Sequence, residues 1–124
     1  METVDRVRTI VAEALFLSTD EVQLDMSLMN DLGAESIDFL DILFRLEKEF
    51  GVNLPKNEIE RRAKGTLADG AFAVDGQLTK EALVSLETLM PEVNRNALRP
   101  GLHVRDIPSL FSVRTFARLV EQQL

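Results

Sequence analysis

Apolar residues recur at intervals of three and four from the start of the chain: Val4, Val7, Ile10, Val11, Ala14 and Leu15. That is the period of a half-buried helix, and it predicts a first helix over residues 2–17. Residues 18–35 break the period, mixing Ser, Thr, Asp, Asn and Gly with spaced Val22, Leu24, Leu28 and Leu32. This predicts a long loop pinned to a core by isolated apolar side chains. From Ser36 the helical period returns through Ile37, Leu40, Leu43, Phe44 and the stretch Leu46 to Phe50, and Gly51 stands where a helix stop is expected.

Farther on, Asp69-Gly70 and Asp75-Gly76 are turn signals. Thr79 to Met90 reads as a helix ended by Pro91, with Leu83, Leu86 and Met90 on one face. Pro91, Pro100, Gly101 and Pro108 punctuate the return toward the C-terminus, and part of residues 60–78 reads equally as a loop. The expected fold class is all-α.

With 124 residues, 45% hydrophobic and 28% charged, the chain fits one compact domain with a real core. It has no cysteine, which rules out disulfides, thiolate metal sites and a thiol nucleophile of its own. No apolar run approaches the roughly 18 residues of a membrane span, and METVDRVRTIV lacks the signature of a secretory leader. A soluble, cytoplasmic, monomeric protein without membrane insertion is expected. A net charge of -7 argues against nucleic acid as the partner, since phosphate binding needs a basic face. The charge is uneven: residues 1–60 carry 14 acids against 5 bases, and residues 61–124 carry 7 against 9. Basic partners for the first half are the better expectation, although an acidic surface is also an ordinary solvated one. The bases of the second half, Arg61, Arg62 and Arg95 among them, read as members of exposed ion pairs rather than as an anion site.

The acidic half contains the one stretch that points to chemistry. Ser36 sits at the junction of a glycine-bearing loop and a patterned helix, with Asp31, Glu35, Asp38 and Asp41 around it. Each feature has a structural explanation: Ser36 as a helix cap, Asp38 as an acid favoured by the helix dipole, Gly33 as the supplier of a backbone conformation that other residues avoid. Autonomous catalysis is not expected. A serine-hydrolase elbow reads G-x-S-x-G, whereas the chain has Gly33-Ala34-Glu35-Ser36-Ile37, and the single histidine, His103, is far away in sequence. Asp38 and Asp41 lie three apart on the outside of a helix, a poor arrangement for paired acid and base work. No metal site is expected either. DGQLTKEAL echoes half of a calcium loop, but Ala71, Ala73 and Ala82 occupy ligand positions.

Taken together, Asp31, Leu32, Gly33, Ser36, Glu47, Glu49, Phe50, Leu54 and Pro55 resemble the phosphopantetheine attachment region of acyl carrier proteins, which commonly reads Asp-Leu-Gly-x-Asp-Ser-Leu before an acidic amphipathic helix. The resemblance covers residues 1 to about 58 and 108–124, with Ser112-Val113 to Leu119 similar to the family's last helix. Glu35 stands where the family usually has Asp, and Ile37 where it has Leu. The larger departure is an insertion over about 60–108.

The resemblance implies an acyl-carrier-like four-helix bundle with an additional helical insertion, forming a single domain over 1–124. It implies that Ser36 carries 4'-phosphopantetheine, attached from coenzyme A by a phosphopantetheinyl transferase with magnesium, whose thiol would hold acyl thioesters. Such a protein is a non-catalytic shuttle in fatty acid, lipid or polyketide biosynthesis. Glu35, Asp38, Asp41 and Glu47 would meet basic patches on acyl-loading, condensing or acyl-transfer enzymes, and Arg45 and Lys48 interrupt that acidic stripe. Leu40, Phe44, Leu54 and Ile59 are candidates for lining an acyl cleft, or simply core residues. The alternative is a carrier-like adaptor that is never modified and acts only through protein contacts.

Overall fold

The computed structural model describes residues 2–55 and 57–124. In chain order it contains α1 (Glu2–Leu15), α2 (Ser36–Phe50), α3 (Glu58–Lys64), α4 (Asp69–Phe72), β1 (Ala73–Val74), β2 (Gln77–Leu78), α5 (Lys80–Leu89) and α6 (Val113–Glu121). The fold is all-α in character, with one short antiparallel hairpin pairing Ala73 with Leu78 and Val74 with Gln77. The chain groups into two compact units, Met1–Lys56 with Phe111–Leu124 and Asn57–Leu110.

In the first unit α1 packs on α2 and α6. Val7 and Val11 of α1, Ile42 and Leu46 of α2, and Val113, Phe116 and Val120 of α6 are fully buried. Phe39, Phe111 and Phe116 form an aromatic cluster with ring centroids 4.9–5.4 Å apart, Phe39 meeting Phe111 edge-on at 79°. α1 stops at Leu15 rather than at residue 17 because Phe16 takes a left-handed backbone (φ 59). There the Leu17 N–H turns back to the Ala12 carbonyl at 2.9 Å.

The loop of residues 18–35 is anchored as its apolar spacing predicts, with Val22 and Leu28 fully buried. It is also fastened through its backbone to the start of α6. The Leu28 N–H donates to the Phe111 carbonyl (3.1 Å), Val113 N–H to Met26 (3.1 Å) and Arg114 N–H to Leu24 (2.8 Å). At its beginning the Ser18 N–H and hydroxyl both donate to Glu21 Oε1 at 3.0 Å. The Ser18 backbone bond first, and its hydroxyl second, lower the Glu21 pKa. This lowered value makes the contribution of Glu21 to stability present above its unfolded pKa and lost as pH falls through the folded one. Carboxyl NMR titration is expected to place Glu21 below the ordinary glutamate range, and Ser18→Ala, which keeps the backbone N–H, to move it only part of the way back; a wild-type midpoint at the ordinary glutamate value would contradict the hydrogen-bond origin.

In the second unit α3 packs on α5. Thr79 caps α5, its hydroxyl accepting from the Ala82 N–H at 3.2 Å, and Leu86 and Met90 are fully buried. Asp75-Gly76 forms the hairpin turn with φ values of 52 and 81, the doubly left-handed geometry that this dipeptide favours. Asp69-Gly70 instead opens α4. Residues 60–78, which read equally as a loop, are thus largely taken up by short elements.

Candidate functional site

The first turn of α2 is where chain direction, charge and exposure converge. Gly33 enters it with φ 73, a conformation that disfavours a side chain. Space around its Cα is open. The Ala34 N–H donates to the Leu28 carbonyl at 2.9 Å, tying this approach to the buried part of the loop. Glu35, not Ser36, is the residue preceding the helix, and Ser36 is the first helical residue. The capping role open to Ser36 from the sequence is therefore not the one it takes: Asp38 accepts the Glu35 N–H through Oδ2 at 2.9 Å.

Ser36 is exposed and its hydroxyl has no hydrogen-bond partner among the described residues. Three residues further on, the buried Phe39 fixes the same turn into the aromatic cluster. A free hydroxyl is thus held on a rigid support. At the N-terminus of a 15-residue helix it also lies where aligned peptide dipoles favour an anion. The hydroxyl, the open approach and the dipole all fit a phosphodiester attached at this serine.

The other expected site residues separate into distinct settings. Glu35 is exposed, and Asp38 and Asp41 are half-buried on the same helical segment. Asp41 pairs with Arg45 at 3.1 Å. Glu47 is turned inward in part, its Oε2 accepting the Leu54 N–H at 2.7 Å, so one carboxylate oxygen secures the chain after α2. Leu54 is buried in the first unit and Ile59 in the second. Leu40 and Phe44, expected in a cleft or in the core, are 42% and 57% exposed. With Ile37, 72% exposed, they form an apolar stripe along α2, one residue after Ser36 and onward. Lys48 lies over the Phe44 ring, 5.2 Å from its centroid. The core is filled by the other stripe of the helix, Phe39, Ile42, Leu43 and Leu46.

Sequence reasoning missed Ile37 as a surface residue. Its spacing with Leu40 and Phe44, three and seven residues on, was the available signal, but it is also the spacing of a buried face. Among the described residues no cluster of three His, Asp or Glu side chains is placed to hold a metal ion. No helix among them is long and apolar enough to cross a membrane.

Comparison with known proteins bears on the family to which the chain belongs. The family described as phosphopantetheine attachment site matches residues 5–68. An acyl carrier protein of Zymomonas mobilis subsp. mobilis is 35% identical over 74 residues, which is 60% of this chain and 92% of the relative. One from Campylobacter hominis is 38% identical over 61 residues, 49% of this chain and 77% of the relative. One from Campylobacter jejuni subsp. doylei is 36% identical over 64 residues, 52% and 83% of the two chains. With its attachment region matched over more than half its length and its helical bundle in place, the chain belongs to the phosphopantetheine-attachment family of acyl carrier proteins.

Proposed function

We propose that Ser36 is the attachment point of 4'-phosphopantetheine and that the chain shuttles acyl groups between enzymes of fatty acid, lipid or polyketide assembly. The observation that carries this reading is the exposed hydroxyl on the first turn of α2, unpartnered among the described residues and inside the matched segment. When bound, the group supplies a terminal thiol, which this cysteine-free chain lacks. The protein itself presents the serine hydroxyl and stabilises an anion there by the helix dipole. A phosphopantetheinyl transferase would bind coenzyme A with magnesium and supply the base; the serine oxygen takes the phosphopantetheinyl phosphorus as the pyrophosphate bond breaks, and adenosine 3',5'-bisphosphate leaves.

Glu35, Asp38 and Asp41 then serve as the acidic part of a docking surface, and Ile37, Leu40 and Phe44 as its apolar part. Leu40 and Phe44 are accordingly read as partner contacts rather than as lining for a carried acyl chain. Glu47 contributes mainly by fixing the segment through Leu54. Such a surface suits brief encounters, because charge steering raises association rates without a large buried interface. We read residues of about 60–108, which fall within the Asn57–Leu110 unit, as the insertion in a single carrier domain over 1–124, and the protein as monomeric and cytoplasmic.

Incubation with coenzyme A, magnesium and a broad-specificity transferase is expected to raise the intact mass by one phosphopantetheine. An unchanged mass with that enzyme and with transferases of the source organism would favour the unmodified adaptor. The docking role is tested by charge. Asp38→Asn keeps an acceptor for the Glu35 N–H and removes only the charge. At low salt it is expected to slow modification about fivefold, with the difference shrinking as salt rises. Equal rates at every ionic strength would remove Asp38 from the docking surface.

A further inference from the structure

The Asn57–Leu110 unit carries a recess of about 380 Å³, in the lower part of the roughly 300–1,000 Å³ range of small-molecule sites. Leu78 of β2, Leu83 and Val84 of α5, and Leu98 beyond α5 supply apolar walls, with Lys80 and Glu87 as its charged lining residues. Leu78 is buried and Val84 is 57% exposed, so the recess runs from the core of the unit to its surface. The two charges are not equivalent. Glu87 is paired with Arg95 at 3.3 Å, whereas the Lys80 ammonium has no ion pair or hydrogen bond among the described residues.

We propose that this recess binds a free aliphatic carboxylate, its chain against the leucines and Val84 and its carboxylate at Lys80. The charge pattern selects that class. A neutral chain leaves the lysine unused, a cationic amphiphile is repelled by it, and a small hydrophilic anion gains nothing from the apolar walls. The inference goes beyond the carrier reading, since it gives the second unit a ligand of its own and requires nothing attached at Ser36.

The test uses the full chain carrying Ser36→Ala, so that no arm contributes. Decanoate is titrated below its micellar concentration and followed by amide and methyl NMR shifts, with acetate and decyltrimethylammonium as comparison ligands. Saturable decanoate binding is expected, with shifts centred on Leu78, Leu83, Val84 and Leu98. Lys80→Glu is expected to raise the dissociation constant about fivefold, as for loss and reversal of one exposed ion pair. Val84→Trp, at a half-exposed position where the fold tolerates bulk, is expected to fill the recess and abolish binding, with circular dichroism reporting retained helix. Absence of saturable binding overturns the proposal. So do shifts centred elsewhere, equal binding of decyltrimethylammonium, or undiminished decanoate binding by both variants. None of these outcomes bears on modification of Ser36, which the mass measurement decides separately.

Discussion

Ser36→Ala is expected to abolish the mass increase completely while leaving the fold and its stability close to unchanged. The first half follows from the absence of a substitute nucleophile of the same kind: the neighbours of Ser36 are Glu35 and Ile37, and the chain has no cysteine. The second half follows from exposure. Among the described residues the Ser36 hydroxyl caps nothing, since Glu35 precedes the helix and its N–H goes to Asp38, so alanine removes no described internal bond. Exposed substitutions of this sort usually change stability by about 0.5 kcal/mol or less. Intact-mass measurement together with thermal unfolding checks both. A mass increase that survives in Ser36→Ala would move the attachment point elsewhere, and proteolytic mapping would locate it. Unfolding of the variant would instead show that the serine has a structural duty absent from the described contacts.

Phe116→Ala is expected to be the most destabilising single change, costing about 3–5 kcal/mol. Phe116 is fully buried and contacts Phe39 and Phe111 at 5.4 and 5.2 Å between ring centroids, so truncation removes both apolar burial and ring packing. Set against the roughly 5–15 kcal/mol that typically holds a domain together, this is a large share. The effect also reaches the candidate site. Phe39 belongs to the first turn of α2 and is the side chain that seats Ser36 on the core. Phe116→Ala is therefore expected to slow modification as well, by loosening the turn that presents the hydroxyl. Urea unfolding gives the first quantity and the transferase assay the second. A loss below about 1 kcal/mol would mean that the cluster is not tightly packed.

Charge on α2 falls into two settings, which bear on the docking surface proposed above. Near Ser36 the acids Glu35 and Asp38 have no cationic side chain paired with them among the described contacts. One turn later Arg45 pairs with Asp41, and Lys48 covers Phe44. Glu49 is engaged by Arg6, whose guanidinium also stacks on Phe50, 4.5 Å from the ring centroid. Negative charge is thus concentrated beside the serine and compensated beyond it, which favours partners whose basic groups lie close to the point where the hydroxyl is presented.

Helices whose signals are local are legible in the amino-acid order alone. α1, α2 and α5 can be read because amphipathic period, with Gly51 and Pro91 at helix ends, acts within a few residues, whereas α6 is read through the family resemblance of Ser112-Val113 to Leu119. Ser36 stands out as a candidate because it belongs to a contiguous pattern from Asp31 onward that carries the family resemblance. Packing between distant segments resolves what local period leaves degenerate. α2 carries two apolar stripes of helical spacing, and only packing against distant segments, α1 and the Phe111 and Phe116 rings among them, buries Phe39, Ile42, Leu43 and Leu46 while leaving Ile37, Leu40 and Phe44 outside. Likewise, nothing near Glu47 in sequence announces that its carboxylate is used by Leu54, and nothing in residues 18–35 announces backbone bonds to residues 111–114. Those choices belong to the whole fold, because a helix face or an unpaired backbone group acquires its partner only when distant segments compete to cover it.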